Sequence, residues 1–111
     1  MKFLCLAYGD EAAWNALSPA EQQEMLAADE VIRERGNQVA AVRTEVRTVS
    51  NWDGKLVVKD EAYARPGLLL AGFSVVEADS VEEVIELVAR TPCARARGYI
   101  EVREFLDVGG G

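Results

Sequence analysis

Apolar positions along this chain recur with two different periods, and the change between them is clearest between residues 67 and 106. Residues 68–76 form a nearly continuous apolar run of strand length, which is typical of a buried strand. Ser80 followed by Glu83 is a capping box, and the residues after Ser80 are apolar at helical spacing: Val81, Val84, Ile85 and Val88. Residues 98–106 return to a period of two. The pattern predicts a strand, an amphipathic helix and a second strand.

The N-terminal part of the chain repeats this order. Residues 3–8 are apolar throughout, which predicts a central strand that ends in a loop at residues 9–14. Ser18, Pro19 and Glu21 form a helix start, with serine at the N-cap, proline at the first helical position and glutamate three residues on. The helix is expected from residue 19 to about residue 35, where Gly36 stops it. Residues 39–49 alternate and predict one strand.

A hairpin is predicted in the middle of the chain. Asp53 and Gly54 separate two strand-like runs, and an Asp-Gly pair in this position is a strong signal for a two-residue turn. Residues 55–59 form the return strand, residues 60–67 lead to the next strand, and residues 109–111 are a flexible tail. The predicted order is strand, helix, strand, hairpin strand, strand, helix, strand.

That order predicts an α+β fold of the ferredoxin-like type, with an antiparallel sheet and both helices on one face. The last strand should turn one set of residues towards the helices, namely Ile100, Val102 and Leu106. Its other face is both aromatic and charged: Tyr99, Glu101, Arg103 and Phe105. Such a face is too aromatic for free exposure and too charged for a dry core. We therefore expect a homodimer of the dimeric α/β barrel kind. If that homodimer is non-catalytic, side chains fill the barrel interior and Glu101 and Arg103 form an ion pair between subunits.

Composition and charge narrow the class of protein. The 111 residues are 50% hydrophobic, which suits one domain with its own core. A net charge of −7 opposes direct binding to nucleic acid or to anionic membranes, and no apolar segment approaches the roughly 20 residues that span a bilayer. Two cysteines, Cys5 and Cys93, imply no disulfide framework and a cytoplasmic location. Without histidine or metal-ligand spacing, we expect neither a metal nor a cofactor.

Several short motifs occur together in a particular order. They are Leu-x-Leu-Ala-Tyr-Gly-Asp-Glu at the start, Trp14, the Leu-Ser-Pro helix start, the Asp-Gly turn, Ala71-Gly72-Phe73, and Gly-Tyr-Ile-Glu-Val-Arg at residues 98–103. In this order the chain resembles the YCII-related domain family over residues 1–108, as a divergent member of the branch named for an Asp-Gly-Pro-Phe motif. The resemblance implies a ferredoxin-like dimer of unassigned activity, sometimes found with sigma factors of the extracytoplasmic-function class.

The namesake motif falls on residues 60–63, where Asp60 and Tyr63 keep its aspartate and an aromatic residue. Arg65 stands where the family usually shows an acid. The enzyme-like members of the wider family are associated with a His-Asp pair, which a chain without histidine cannot form. Acid or base chemistry would therefore fall to carboxylates, for which the candidates are Asp10 and Asp60.

Two functions are open on this evidence. The first is a small-molecule site between the uncovered face of the sheet and the loops at residues 9–14 and 60–66, with Asp10 and Asp60 as acid or base. Its ligand contacts would come from Tyr8, Trp14, Tyr63, Arg65 and Arg103. The second is a non-catalytic homodimer that serves as an accessory or regulatory domain. In that case Trp14 packs the first loop onto the core and the acids are solvated.

Overall fold

The computed structural model describes residues 1–63 and 67–105 of the chain. Its strands and helices are β1 (Lys2–Gly9), α1 (Glu11–Asn15), α2 (Pro19–Glu34), β2 (Gln38–Ala41), β3 (Thr48–Trp52), β4 (Lys55–Lys59), β5 (Leu69–Glu77), α3 (Val81–Val88), α4 (Pro92–Arg95) and β6 (Tyr99–Glu104). Arg65, Leu106 and the tail at residues 109–111 lie outside the described residues.

Four strands form one antiparallel sheet in the order β2-β5-β1-β6. Each half of the chain contributes a strand, a long helix and a second strand, so the two halves interleave in the sheet. This is the ferredoxin-like α+β arrangement predicted from the sequence. Strands β3 and β4 come between β2 and β5 in the sequence and form a separate two-stranded sheet.

The core lies between one face of the four-stranded sheet and helices α2 and α3. Phe3 on β1 and Val76 on β5 are directly paired, and both are almost completely buried. Ile32 on α2 and Val84 on α3 cover them and are equally buried. The large core side chains therefore gather at the end of the sheet where β1 begins and β5 ends.

Side-chain capping fixes the start of each long helix as predicted. At α2, the Ser18 hydroxyl accepts from the Glu21 N–H at 3.1 Å, and the Glu21 carboxylate accepts from the Ser18 N–H at 3.0 Å. At α3, the Ser80 hydroxyl accepts from the Glu83 N–H at 3.3 Å. The return bond expected there is shifted, because Glu83 accepts from the Asp79 N–H and also from Arg35, which follows α2.

Three segments differ from the sequence prediction. Residues 11–15 form the short helix α1 rather than a loop, because the Asp10 carboxylate caps it. Residues 92–95 form a second short helix, which begins with a proline. The single strand predicted over residues 39–49 is wrong: β2 ends at Ala41, and strand pairing resumes at Thr48 in the hairpin. The register of β1 against β5 shifts between Ala7 and Tyr8, where Ala71 is the extra residue of a bulge, and pairing continues with Tyr8 opposite Leu70.

The face of the sheet opposite the helices carries alternate residues of the central strands. Leu4 lies between Val75 and Arg103, and Leu6 lies between Phe73 and Glu101. Leu4 and Leu6 are only half-buried, although they lie on the central strand of the sheet. We call this surface, made by Leu4, Leu6, Tyr8, Phe73, Val75, Tyr99, Glu101 and Arg103, the open face.

Candidate ligand-binding cavity

A cavity of about 460 Å³ lies between the sheet and the helices towards the Gly9 end of β1, and the core residue Ile32 forms part of its wall. The sheet side chains that line it there are small, since Ala7 and Gly9 of β1 meet Ala71 and Gly72 of β5. Helix α2 passes over this end and cannot fill the space that these residues leave. The cavity is thus a consequence of where small and large residues stand along two neighbouring strands.

The lining of the cavity is mostly apolar, with a few polar groups. Leu26 of α2, Val39 of β2 and Ile100 of β6 supply hydrocarbon surface, and Trp14 of α1 supplies an aromatic ring. Thr91 also lines the cavity, but its hydroxyl donates to the Val88 carbonyl at 2.5 Å. An apolar wall with few polar groups is typical of small-molecule sites.

Asp29 is the most unusual of the polar groups. It is half-buried on α2, and burial raises the pKa of its carboxyl, with the nearby Arg33 acting in the opposite direction. Its carboxylate makes no hydrogen bond or salt bridge with any residue in the ranges 1–63 and 67–105. Arg33 also lines the cavity but pairs with Glu30 on the same helix. A half-buried carboxylate therefore stands at this wall without a partner from the described residues.

Both cysteines line the cavity as free thiols. Burial raises the pKa of Cys5, which a hydrogen bond with Ser74 partly offsets. Burial also raises the pKa of Cys93, and the Asp29 carboxylate raises it further. Because the thiolate is the nucleophile and the metal ligand, these surroundings keep both cysteines in the less reactive form. Among the described residues no group of three or more His, Cys, Asp or Glu side chains could hold a metal ion.

Two of the residues predicted for a site do line this cavity, namely Asp10 and Trp14. The Asp10 carboxylate accepts from the Ala13 N–H at 3.1 Å and thereby caps α1. The Trp14 carbonyl accepts from the Gln22 side chain at 2.9 Å, which ties α1 to α2. The bond to Gln22 is thus made by the backbone of residue 14, while Trp14 is half-buried where it lines the cavity.

The other predicted residues lie elsewhere. Tyr8 and Arg103 belong to the open face, on the opposite side of the sheet, and Arg103 lies 3.5 Å from Glu101 of its own strand. Asp60 follows β4 and its carboxylate lies 3.2 Å from the Arg47 guanidinium, while Tyr63 is 93% exposed. The structure therefore divides the described members of the predicted site among the cavity, the open face and the base of the hairpin.

Sequence reasoning missed Asp29, although a signal for it exists. Met25 and Ile32 form the buried stripe of α2, and Asp29 lies four residues after the first and three before the second. This spacing puts its carboxylate next to the stripe, on the side that faces the sheet. An acid between two core positions of an amphipathic helix is costly unless something compensates it.

These features define a ferredoxin-like α+β fold with an apolar cavity under its helices and an open sheet face. None of the helices in the described ranges is long and apolar enough to cross a membrane. The chain belongs to the YCII-related domain family, whose pattern it matches over residues 1–108. A comparison with curated proteins found no matching relative.

Proposed function

We propose that this protein binds a small, largely apolar molecule in the cavity under α2, and that it does so as a homodimer. The single observation that carries the binding proposal is the cavity itself. Its volume of about 460 Å³ falls within the roughly 300–1,000 Å³ of ordinary ligand sites. Burying hydrocarbon surface there would contribute about 25 cal/mol for each Å² removed from water.

A cavity-filling variant tests the binding proposal directly. Ala7 lines the cavity from the central strand and is paired with Gly72, so a larger side chain at residue 7 would occupy the space. Ala7→Leu should lose binding of an apolar dye that wild-type protein takes up, with the far-UV circular dichroism unchanged. Ala27→Leu, on the exposed side of α2, is the matched control and should bind like wild type. Equal dye binding by Ala7→Leu would reject the cavity as the site.

The open face supports the dimer. It presents Leu6 and Phe73 as a cross-strand pair at the centre of the sheet, and both are half-buried in the isolated chain. A second copy laid face to face would remove this apolar surface from water, and an isologous pairing places the same patch on both subunits. Leu6→Glu should give a monomer in sedimentation at micromolar concentration, while Val31→Glu on exposed α2 should leave the dimer intact. A wild-type monomer would remove this part of the proposal.

The second candidate function is a non-catalytic accessory or regulatory dimer. The resemblance to the Asp-Gly-Pro-Phe branch implies a link to sigma factors of the extracytoplasmic-function class. The bonding of the two candidate acids favours it, because Asp10 caps a helix and Asp60 pairs with Arg47. Because Asp60 lies outside the cavity, Asp60→Asn should leave dye binding unchanged and lose no more than about 1 kcal/mol of stability, whereas loss of binding with stability unchanged would return Asp60 to the ligand site.

A further inference from the structure

Building on the proposed binding function, we propose that the cavity selects a protonated organic amine, a molecule with a hydrocarbon body whose ammonium group lies against Asp29 and the ring of Trp14. This proposal specifies the chemical class of the ligand and the side chains that bind its charged group. The argument rests on the bonding state of Asp29, on the charges around the cavity and on its aromatic wall.

The first step concerns the missing partner of Asp29. Its carboxylate is half-buried beside apolar side chains, and leaving a carboxylate there without a hydrogen-bond donor is costly. The guanidinium of Arg33, on the same helix, forms a salt bridge with Glu30 instead. Thus none of the described residues donates a hydrogen bond to the Asp29 carboxylate. An ammonium group brings three N–H donors and a compensating charge to this place.

The second step concerns the sign of the charge in the cavity. Among residues 1–63 and 67–105, the charged groups that line it are one guanidinium and three carboxylates: Arg33, Asp10, Glu11 and Asp29. The Asp10 carboxylate accepts a hydrogen bond from the Ala13 N–H, and Arg33 forms a salt bridge with Glu30. An anionic ligand would meet a surplus of like charge, while a cation would be attracted. The charge of the wall therefore favours an amine over a carboxylic acid of the same shape.

The third step concerns Trp14. An indole ring is the aromatic side chain that attracts cations most strongly, and half-burial strengthens that attraction by removing water. The hydrocarbon body of the ligand would rest on Leu26 and Ile100, which have no polar side-chain atoms. The cavity thus combines a cation-binding group at its wall with apolar surface for the remainder of the molecule.

The pH dependence follows from the groups around Asp29. Glu30 and Arg33 face it from α2, Cys93 faces it from α4, and Asp10 and Glu11 line the same cavity. An amine binds only the ionised carboxylate, so affinity should fall as pH decreases through the pKa of Asp29. Because burial raises that pKa, the fall should begin at a higher pH than for an exposed aspartate.

The experiment uses three probes with one hydrocarbon body and different head groups. 4-Phenylbutylamine, 4-phenylbutanol and 4-phenylbutyrate are titrated into ¹⁵N-labelled full-length protein at pH 7, and amide shifts are followed into the millimolar range. The amine should bind at least about tenfold more tightly than the alcohol, as a charge-assisted hydrogen bond warrants, and the butyrate should bind weakest. The shifted amides should include those of Ala7, Asp29 and Ala71.

Two variants attribute the selectivity to Asp29. Asp29→Asn keeps the shape of the side chain and should lose the roughly tenfold preference for the amine, while its affinity for the alcohol is unchanged. Glu34→Gln removes the same charge from an exposed position of the same helix and should behave as wild type. Equal affinity for all three probes, or an amine preference that survives Asp29→Asn, overturns the assignment of ligand class while the binding cavity stands. If none of the probes shifts the cavity amides, both proposals fall.

Discussion

The close approach of Gly98 to β1 and α4 gives a sharp test of how this end of the fold is packed. A Cβ added to Gly98 would lie 2.1 Å from the Tyr8 carbonyl oxygen and 2.6 Å from the Cys93 carbonyl oxygen. Carbon and oxygen atoms come into contact at about 3.3 Å, so the Tyr8 carbonyl would have to move by more than about 1 Å. Both obstacles are backbone atoms, which cannot turn away as a flexible side chain can. The Gly98 N–H also donates to the Cys93 carbonyl at 2.8 Å, which opposes separation.

The cost of Gly98→Ala can be bounded from this geometry. Overpacking a tight site lowers the free energy of unfolding by about 1–3 kcal/mol, and by more where the backbone must shift. Alanine also restricts the unfolded chain relative to glycine, which raises the free energy of unfolding by about 0.4–1 kcal/mol. Because the obstacles here are backbone atoms, the upper end of that cost applies, and we expect a net loss of about 2 kcal/mol or more. For a domain near this length, each kcal/mol lowers the melting temperature by about 4–8 °C. The midpoint should therefore fall by more than about 8 °C in thermal denaturation.

Gly9→Ala is the matched control for this prediction. Its added Cβ would meet the Cys93 sulfur at 3.2 Å and the Ala71 side chain at 3.6 Å, which are side-chain contacts that can adjust. We expect its free energy of unfolding to stay within about 1 kcal/mol of wild type. If Gly98→Ala is as stable as Gly9→Ala, then β6 does not approach Tyr8 as closely as described, and the reasoning about this end of the sheet is refuted.

Three further predictions concern single side chains. Ser18→Ala should cost about 1 kcal/mol in urea denaturation, because the Glu21 N–H loses its acceptor; no loss would contradict the cap. Burial raises the pKa of Asp29, so ionisation of its carboxyl opposes folding. Asp29→Asn should therefore be more stable than wild type at pH 7, and this gain should vanish below about pH 3.9, where the carboxyl is protonated even in the unfolded chain. A difference in stability that does not depend on pH would contradict this. Alkylation of Cys93, followed by mass spectrometry, should be slow at pH 7 and faster in Asp29→Asn, because the Asp29 carboxylate disfavours the Cys93 thiolate. Equal alkylation rates in the two proteins would contradict this reason.

The sequence by itself determined the features that depend on neighbouring residues. Ser18 and Glu21 close the start of α2 within four residues, so the capping box could be predicted without any tertiary contact. Asp53 and Gly54 both have positive φ angles, 54° and 76°, and form the hairpin turn that their side chains favour. Apolar periodicity then ordered the strands and helices, and chain order led to the ferredoxin-like sheet.

The tertiary structure alone decided where side chains from distant elements meet. Strand periodicity placed Arg103 on the face of the sheet opposite the helices, but it could not show that Asp10 and Trp14 lie beyond the sheet edge on the helix side. The end of β2 at Ala41 depends on how β5 passes it, which local propensity does not contain. The cavity arises because small residues of β1 and β5 become neighbours across more than 60 positions of sequence, and Asp29 lines that space. Burial, and with it the pKa of a carboxyl, is a property of such an assembled environment rather than of any one segment.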